Sequence, residues 1–498
     1  MSNRHANLNH ASAIVGLSAT LIVLSGCSWS NTETEESRAI TLSQENTYKV
    51  LDQVPAEKLE AYTGASVIDG TGSPPIENAT LFVHEGKILG VIEDAFVPNG
   101  AKLIDVSGKW IVPGLIDAHV HFFESGRSYA SPRSIDLTEL VSYDEEARWT
   151  KNRLSYTLTR YLCSGVTGAL SAGGPQIERD ARSLSRQKEQ SPRVYAAFGP
   201  VAQVPSQMVL PPFAGENISF AASIAELEST MNIGFEWDAD LVKTAHLGGA
   251  FTEFETDASE FHKELVRIAH ENGKPVTTHI FSIAGLIAVL PSKPDSLQHL
   301  PLDGIINDDL IGRIKETGLV VVPTLSVFER TFGGVYDKDL ELTEIENQCG
   351  DPQVIRSWND FPDELPASIQ QSIAFRAPMF ATAKTNMMRL YAAGIPIAAG
   401  TDAGNIGLLH GASMHLEMKL LAEFGMKPLD VIQSATLNSA RVAGQSGLVG
   451  SLEPQKKADF LILSENPLDN ISNMQSIEYI VIDGNKMGQS QLRAGPTD

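Results

Sequence analysis

The stretch IVPGLIDAHVHFFESG, residues 111–126, is an apolar run that ends in two histidines two residues apart, His119 and His121. In an extended strand such residues share a face while Ala118 and Val120 turn away, so both imidazoles aim at one point, as metal ligands do. An HxH pair alone carries little. Four more polar residues close apolar runs downstream: Lys243 in DADLVKTAHLGG, His279 in GKPVTTHIF, His299 in DSLQHLPLDG and Asp402 in GIPIAAGTDAGN. Imidazoles and a carboxylate at strand ends can hold divalent cations, and a lysine there is costly unless it is paired or chemically changed. Other chemistries lack their signatures. No glycine-rich nucleotide loop follows a strand, and GASMH, residues 411–415, lacks the final glycine of a nucleophile elbow.

These residues need a scaffold of parallel strands. Residues 61–110 read as short strands broken by Gly-containing turns (ASVIDGTG, ATLFVHEGKILGVIE, AKLIDVSGKWIV), and the C-terminus repeats that pattern in KADFLILSENP and SIEYIVIDGNKM. Between them, short apolar strands alternate with helical patterns such as DASEFHKELVRIAHENG. The pattern predicts an α/β protein: a (β/α)8 TIM-like barrel over 113–444, with room for eight units, inserted in a composite β-sandwich made from 51–112 and 445–490. Barrel enzymes place their chemistry at the C-terminal ends of strands, where all six residues fall.

The chain has 498 residues and a formal net charge of -23, with no basic cluster to offset that field, which excludes nucleic acid as a partner. Cys27, Cys163 and Cys349 lie far apart, so neither a disulfide framework nor a cysteine zinc cluster can be read from them. Arg4 precedes ASAIVGLSATLIVLSGC, which is short for a membrane span and suited to a secretory signal. Its end, LSGC, resembles the lipobox of bacterial lipoproteins, in which cleavage precedes a Cys that is then lipidated. Residues 1–27 are therefore expected to be a lipoprotein signal and 28–50 a polar tether, placing the body at the bacterial cell envelope, on the outer membrane facing the periplasm. Its membrane contact would be only through a lipid on Cys27. An ordinary signal peptide or an uncleaved anchor is the alternative. The sequence does not set the oligomeric state.

The set His119-x-His121, Lys243, His279, His299 and Asp402 resembles the metal-binding pattern of the amidohydrolase superfamily. The phrases WIVPGLIDAHVH, AGTDAG, ATLNSAR and KKADFLILSENPL resemble successive landmarks of that family, so the likeness runs from about Ala61 to Gly484. DLVK followed by GG looks like its lysine-bearing, prolidase-like and imidazolonepropionase-related branch. One departure stands out: Leu300 follows His299 where the family more often has glycine.

The resemblance implies that His119, His121 and Asp402 hold one ion and His279 and His299 another, with Lys243 bridging them as a carbamate formed with carbon dioxide. Zinc suits such a site, although manganese, cobalt or iron could occupy it. It implies that a metal-bridging hydroxide attacks and that Asp402 acts as the catalytic general base. An unmodified Lys243 snorkelling at a strand end would instead leave one ion. The implied activity is hydrolysis of an amide or peptide bond in a small molecule or short peptide, of dipeptide or N-acyl amino acid type. Lactone or organophosphate ester hydrolysis on the same site is the alternative, and a non-catalytic ligand-binding lipoprotein is the alternative of another class. His246, three residues after Lys243, Arg330, which closes PTLSVFER and could pair a substrate carboxylate, and His410 are weaker substrate-binding candidates. His84, His262, His270 and His415 are expected not to be ligands, with His262 and His270 on a surface helix.

Overall fold

The computed structural model describes residues 47–131, 134–188, 190–203, 216, 220–246, 258–337 and 340–493. The expected signal, the lipidation site Cys27 and all but the end of the tether lie outside them. Among the described residues no helix is long and apolar enough to cross a membrane.

The first strands, β1 (Glu60–Val67), β2 (Ile76–His84), β3 (Lys87–Glu93), β4 (Lys102–Asp105) and β5 (Trp110–Pro113), form most of one sheet. Strand β1 changes partner along its length: Glu60 to Thr63 pair with β4, whereas Ser66 and Val67 pair with β5. The break falls at Gly64, whose φ of +80° and a Cβ that would lie 2.4 Å from Ser107 Oγ admit only glycine. Both faces of this sheet carry core, one around Tyr62, Leu81 and Phe460 and one around Leu59, Phe82 and Ile92.

Gly114 then passes the chain into the barrel, and a Cβ there would sit 2.1 Å from Thr167 Oγ1. The barrel strands are β6 (Leu115–Val120), β7 (Val166–Ser171), β8 (Arg193–Ala202), β10 (Leu241–Ala245), β11 (Val276–His279), β12 (Ser296–Gln298) and β13 (Val320–Val322), all parallel, with a short β9 (Phe220–Ala221) beside β8. Both faces of β6, β7 and β10 are buried, which accounts for their continuous apolar runs. Among the described residues no regular eighth barrel strand forms. Residues 396–403 nevertheless bridge the gap, with Ala398 N and Pro396 O bonded to Val321 on one side, and Ala399 O and Ala403 O accepting from Ala118 N and His121 N on the other.

Two supports hold that closing segment. Asp117 accepts from Thr401 N at 2.9 Å and Thr401 Oγ1 at 2.6 Å. The ATLNSAR landmark winds into a π-turn over Ser434–Asn438, from which Ser434 O takes Ala399 N, while Asn438 Nδ2 and the following Ser439 Oγ donate to Ile397 O and Ala399 O. The chain then returns to the first sheet as β14 (Phe460–Leu463), β15 (Ile477–Ile482) and β16 (Asn485–Gly488), giving the order β16-β15-β14-β5-β1-β2-β3. The expected α/β class is present, as a nearly closed barrel of seven parallel strands with a sheet from both chain ends, but the eighth regular strand is replaced by the bridging segment 396–403 and the terminal strands form one sheet.

Two expectations are corrected. Cys163 and Cys349 form a disulfide across a sequence separation of 186, fully buried, linking the end of the helix Tyr143–Cys163 to the short helix Glu344–Cys349. His262 is buried, not on the surface, because it lies on the apolar stripe of its helix with Phe261, Leu265, Val266 and Ala269; His270 is exposed and meets Asp295 at 2.9 Å.

Candidate metal centre

His119 ends β6 and is fully buried; its Nδ1–H donates to Gln298 Oε1 at 2.7 Å. The Gln298 amide is set by its other end, where Nε2 donates to Thr277 Oγ1 at 2.7 Å. His121 Nδ1–H donates to the Gly173 carbonyl at 3.1 Å. With both Nδ1 protons given to carbonyl-type acceptors, each Nε2 keeps a lone pair. These two nitrogens lie 3.3 Å apart, and Asp402 Oδ1 lies 3.3 Å from one and 3.5 Å from the other. The contacts are not ion pairs. Burial holds His119 well below its ordinary range and His121 down to about 3, so both rings are neutral. Three potential ligand atoms thus converge, an arrangement suited to a cation, and Asp402 Oδ1 has no hydrogen-bond partner.

The remaining residues surround this cluster. His299 Nδ1–H donates to Thr324 Oγ1 at 2.6 Å, and since that hydroxyl itself donates to Pro323 O, the His299 Nε2 also carries a lone pair. The His299 ring centroid is 4.5 Å from that of His279 and 5.0 Å from that of His119. Lys243 is buried, its Nζ has no hydrogen-bond partner, and burial pulls its amine down to about 7. Desolvation raises Asp402, and the nearby Lys243 charge opposes that rise.

Backbone strain marks two of the positions. His299 and Asp402 have φ of +69° and +61°, a region that non-glycine residues enter at a cost; His299 directly follows β12 and Asp402 lies in the bridging segment that closes the barrel. Leu300, the departure from the family pattern, packs in the core with 1% exposure and does not displace His299. Close approach of backbone to ligand explains Gly400, where a Cβ would meet His119 N at 3.0 Å.

A model of the amidohydrolase family matches residues 110–487, most of the chain. The chain belongs to the amidohydrolase family. Relatives of this amidohydrolase include ochratoxinase from Aspergillus niger, 25% identical over 469 residues that cover 88% of this chain and 87% of that protein. Imidazolonepropionase from Geobacillus kaustophilus is 25% identical over 423 residues, covering 81% and 86%. A Xaa-Pro dipeptidase structure with bound methionine superposes with a TM-score of 0.66 at 20% identity, spanning 86% of this chain and all of that one, a likeness of fold. Family and relatives make this a hydrolytic enzyme.

The weaker candidates of the amidohydrolase sit otherwise. His410 is buried with both ring nitrogens committed, Nδ1 to the Tyr161 hydroxyl and Nε2 to Glu124 O at 2.8 Å each, so none is left for a substrate. Arg330 is buried, with Nη2 in a 3.1 Å pair with Glu346 and with Nε and Nη1 without a hydrogen-bond partner among the described residues. His246 adjoins the centre through its N–H to His279 O, with its ring against His262. His84 and His415 bond to Lys58 O and Ser164 O, apart from the cluster.

Residues missed by the sequence reading are Asp117, Gln298 and Thr324. Their partners are distant in sequence, in a neighbouring barrel segment for Thr324 and Asp117 and on a more remote strand for Gln298; only the position of Gln298 beside His299 and of Asp117 two residues before His119 hinted at them. Gln298→Leu removes the acceptor for His119 Nδ1–H and frees the other tautomer, so its zinc affinity in chelator competition is expected to fall about 10- to 100-fold, with Gln298→Glu retaining most of it.

Proposed function

We propose that this amidohydrolase cleaves an amide or peptide bond of dipeptide or N-acyl amino acid type at a centre of two divalent ions, zinc by preference. The observation that carries the reading is the convergence of the His119 and His121 Nε2 lone pairs on the unpartnered Asp402 Oδ1, beside a buried and unpartnered Lys243. His119, His121 and Asp402 would hold one ion, and His279 with His299 the other. Lys243 Nζ, an amine that burial keeps available in its neutral form, would add carbon dioxide with loss of a proton and become an anionic carbamate able to bridge both. Bound divalent ions supply Lewis acidity toward the attacked oxygen and a water that ionises near neutral pH.

The protein groups do the rest. Gln298, Gly173 O and Thr324 hold the ring protons of His119, His121 and His299 at Nδ1, which leaves their Nε2 lone pairs free for an ion. The Asp402 carboxylate would take a proton and return it to the leaving nitrogen. The amide-cleaving relatives favour a carbon–nitrogen bond. The buried Cys163–Cys349 disulfide supports an oxidising compartment, in keeping with export of the chain and lipid attachment at Cys27.

Metal content per chain, measured on residues 28–498 produced with zinc and bicarbonate, tests this reading beside Lys243→Ala. About two ions in the wild type and a loss in the variant are expected. One ion in both would remove the bridge. The wild type is further expected to turn over members of a dipeptide and N-acyl amino acid panel; turnover confined to lactones or phosphotriesters would overturn the bond assignment.

A further inference from the structure

Strand β11 delivers more than its histidine. Thr277 points into the barrel, where its hydroxyl meets Gln298 and Ser296, and His279 follows on the same face; Ile280 turns out and packs in the core with Leu286 and Val289. Ile280 N still bonds to Gln298 O, so extended pairing persists past the end of β11. Alternation therefore carries Phe281 to the inner side, one step above His279 toward the barrel mouth. Its ring centroid lies 4.4 Å from that of His279 and 4.7 Å from that of His299.

Phe281 is held and yet open. Its carbonyl accepts from Leu302 N at 2.9 Å, and its ring rests 6.0 Å from that of Phe328, which is buried and stacks in turn on Phe332 at 5.6 Å. Phe281 nonetheless remains 37% exposed, although its ring is packed on the half-buried His279 and the buried His299. Among the described large apolar residues of comparable exposure, such as Phe96, Leu103 and Phe375, none stands within two residues of a candidate metal ligand. A fixed aromatic surface left open beside a polar centre is stabilised when an apolar group covers it.

We infer that Phe281 is a specificity-determining residue whose exposed ring seats an apolar side chain or acyl group next to the scissile bond, so that the substrates are amides flanked by a ring or a branched chain. The inference rests on the metal-hydrolase reading above. Two tetrahedral anions of equal headgroup, benzylphosphonate and methylphosphonate, probe it without knowledge of the substrate, by calorimetric binding to the zinc-loaded protein. The wild type is expected to bind benzylphosphonate about tenfold or more tighter. Phe281→Ala should abolish that preference while metal content and methylphosphonate binding stay within about threefold, and Phe281→Leu should restore part of it. No preference in the wild type, or a preference that survives Phe281→Ala, overturns the assignment to Phe281. So does equal loss of both probes together with metal in Phe281→Ala, since the ring would then only brace His279 and His299. Binding of neither phosphonate by the wild type would overturn the metal-hydrolase reading itself.

Discussion

Asp402→Asn is expected to lose about 10²- to 10⁴-fold in kcat, the range over which a positioned proton acceptor acts. The amide keeps the shape of the carboxylate and an oxygen that can still face His119 and His121, but it cannot take up a proton. The backbone at this position is already strained at φ +61°, and asparagine tolerates that region as well as aspartate does. Metal content measured on the same preparation separates the two roles: the full wild-type ion content retained with kcat collapsed assigns the proton transfer to Asp402. Retention of kcat within about tenfold of the wild type would sink that role.

Much of this centre was legible because each ligand closes a run of residues whose alternation fixes its direction. His119 and His121 share a face by spacing alone, and Asp402 is announced by the small residues Ala398, Ala399 and Gly400, which let the closing segment approach β6. The groups that orient those ligands were not legible. His119 and Gln298 are separated by 179 positions, and only barrel closure brings them together. His262 is a different case: Phe261, Leu265, Val266 and Ala269 place it on the apolar stripe, a signal present in the helix periodicity and outweighed by its polar type. The eighth barrel strand was expected as a regular element, yet the Pro396-to-Ala403 segment joins its neighbours by separate bridges, because its chain must turn at Asp402 to present the carboxylate.

Replacing both Cys163 and Cys349 by serine should destabilise the protein by about 2–5 kcal/mol, with the upper end set by chain entropy for so long a closed loop. The effect should exceed that of an average core substitution because the bond fastens a whole segment. Residues from Glu344 to Asp360 pack against the helix Tyr143–Cys163 and the loop after β6, where Asp351 pairs with Arg153 at 2.8 Å, Trp358 donates to Gly126 O at 2.9 Å and Ser357 accepts from Ser128 N at 3.1 Å. Gly126 N in turn donates to Gly404 O, two residues from Asp402. Thermal melts of the oxidised wild type and the double variant provide the measurement. Equal midpoints would mean that these polar contacts hold the segment without the covalent link.

The sheet built from both chain ends also dictates an order of events during synthesis. Strand β5 pairs on one side with β1, which is made before it, and on the other with β14. Residue 460 emerges 347 residues after residue 113. At ribosomal rates that interval is about 20 to 70 seconds. Throughout it the far edge of Trp110–Pro113 has no partner, and the nascent sheet presents an open edge to other chains. The stretch that leads straight into His119 thus waits through most of synthesis for its second neighbour, and a polypeptide cut short just before Phe460 would carry all six proposed ligands of the centre together with an exposed template for aggregation.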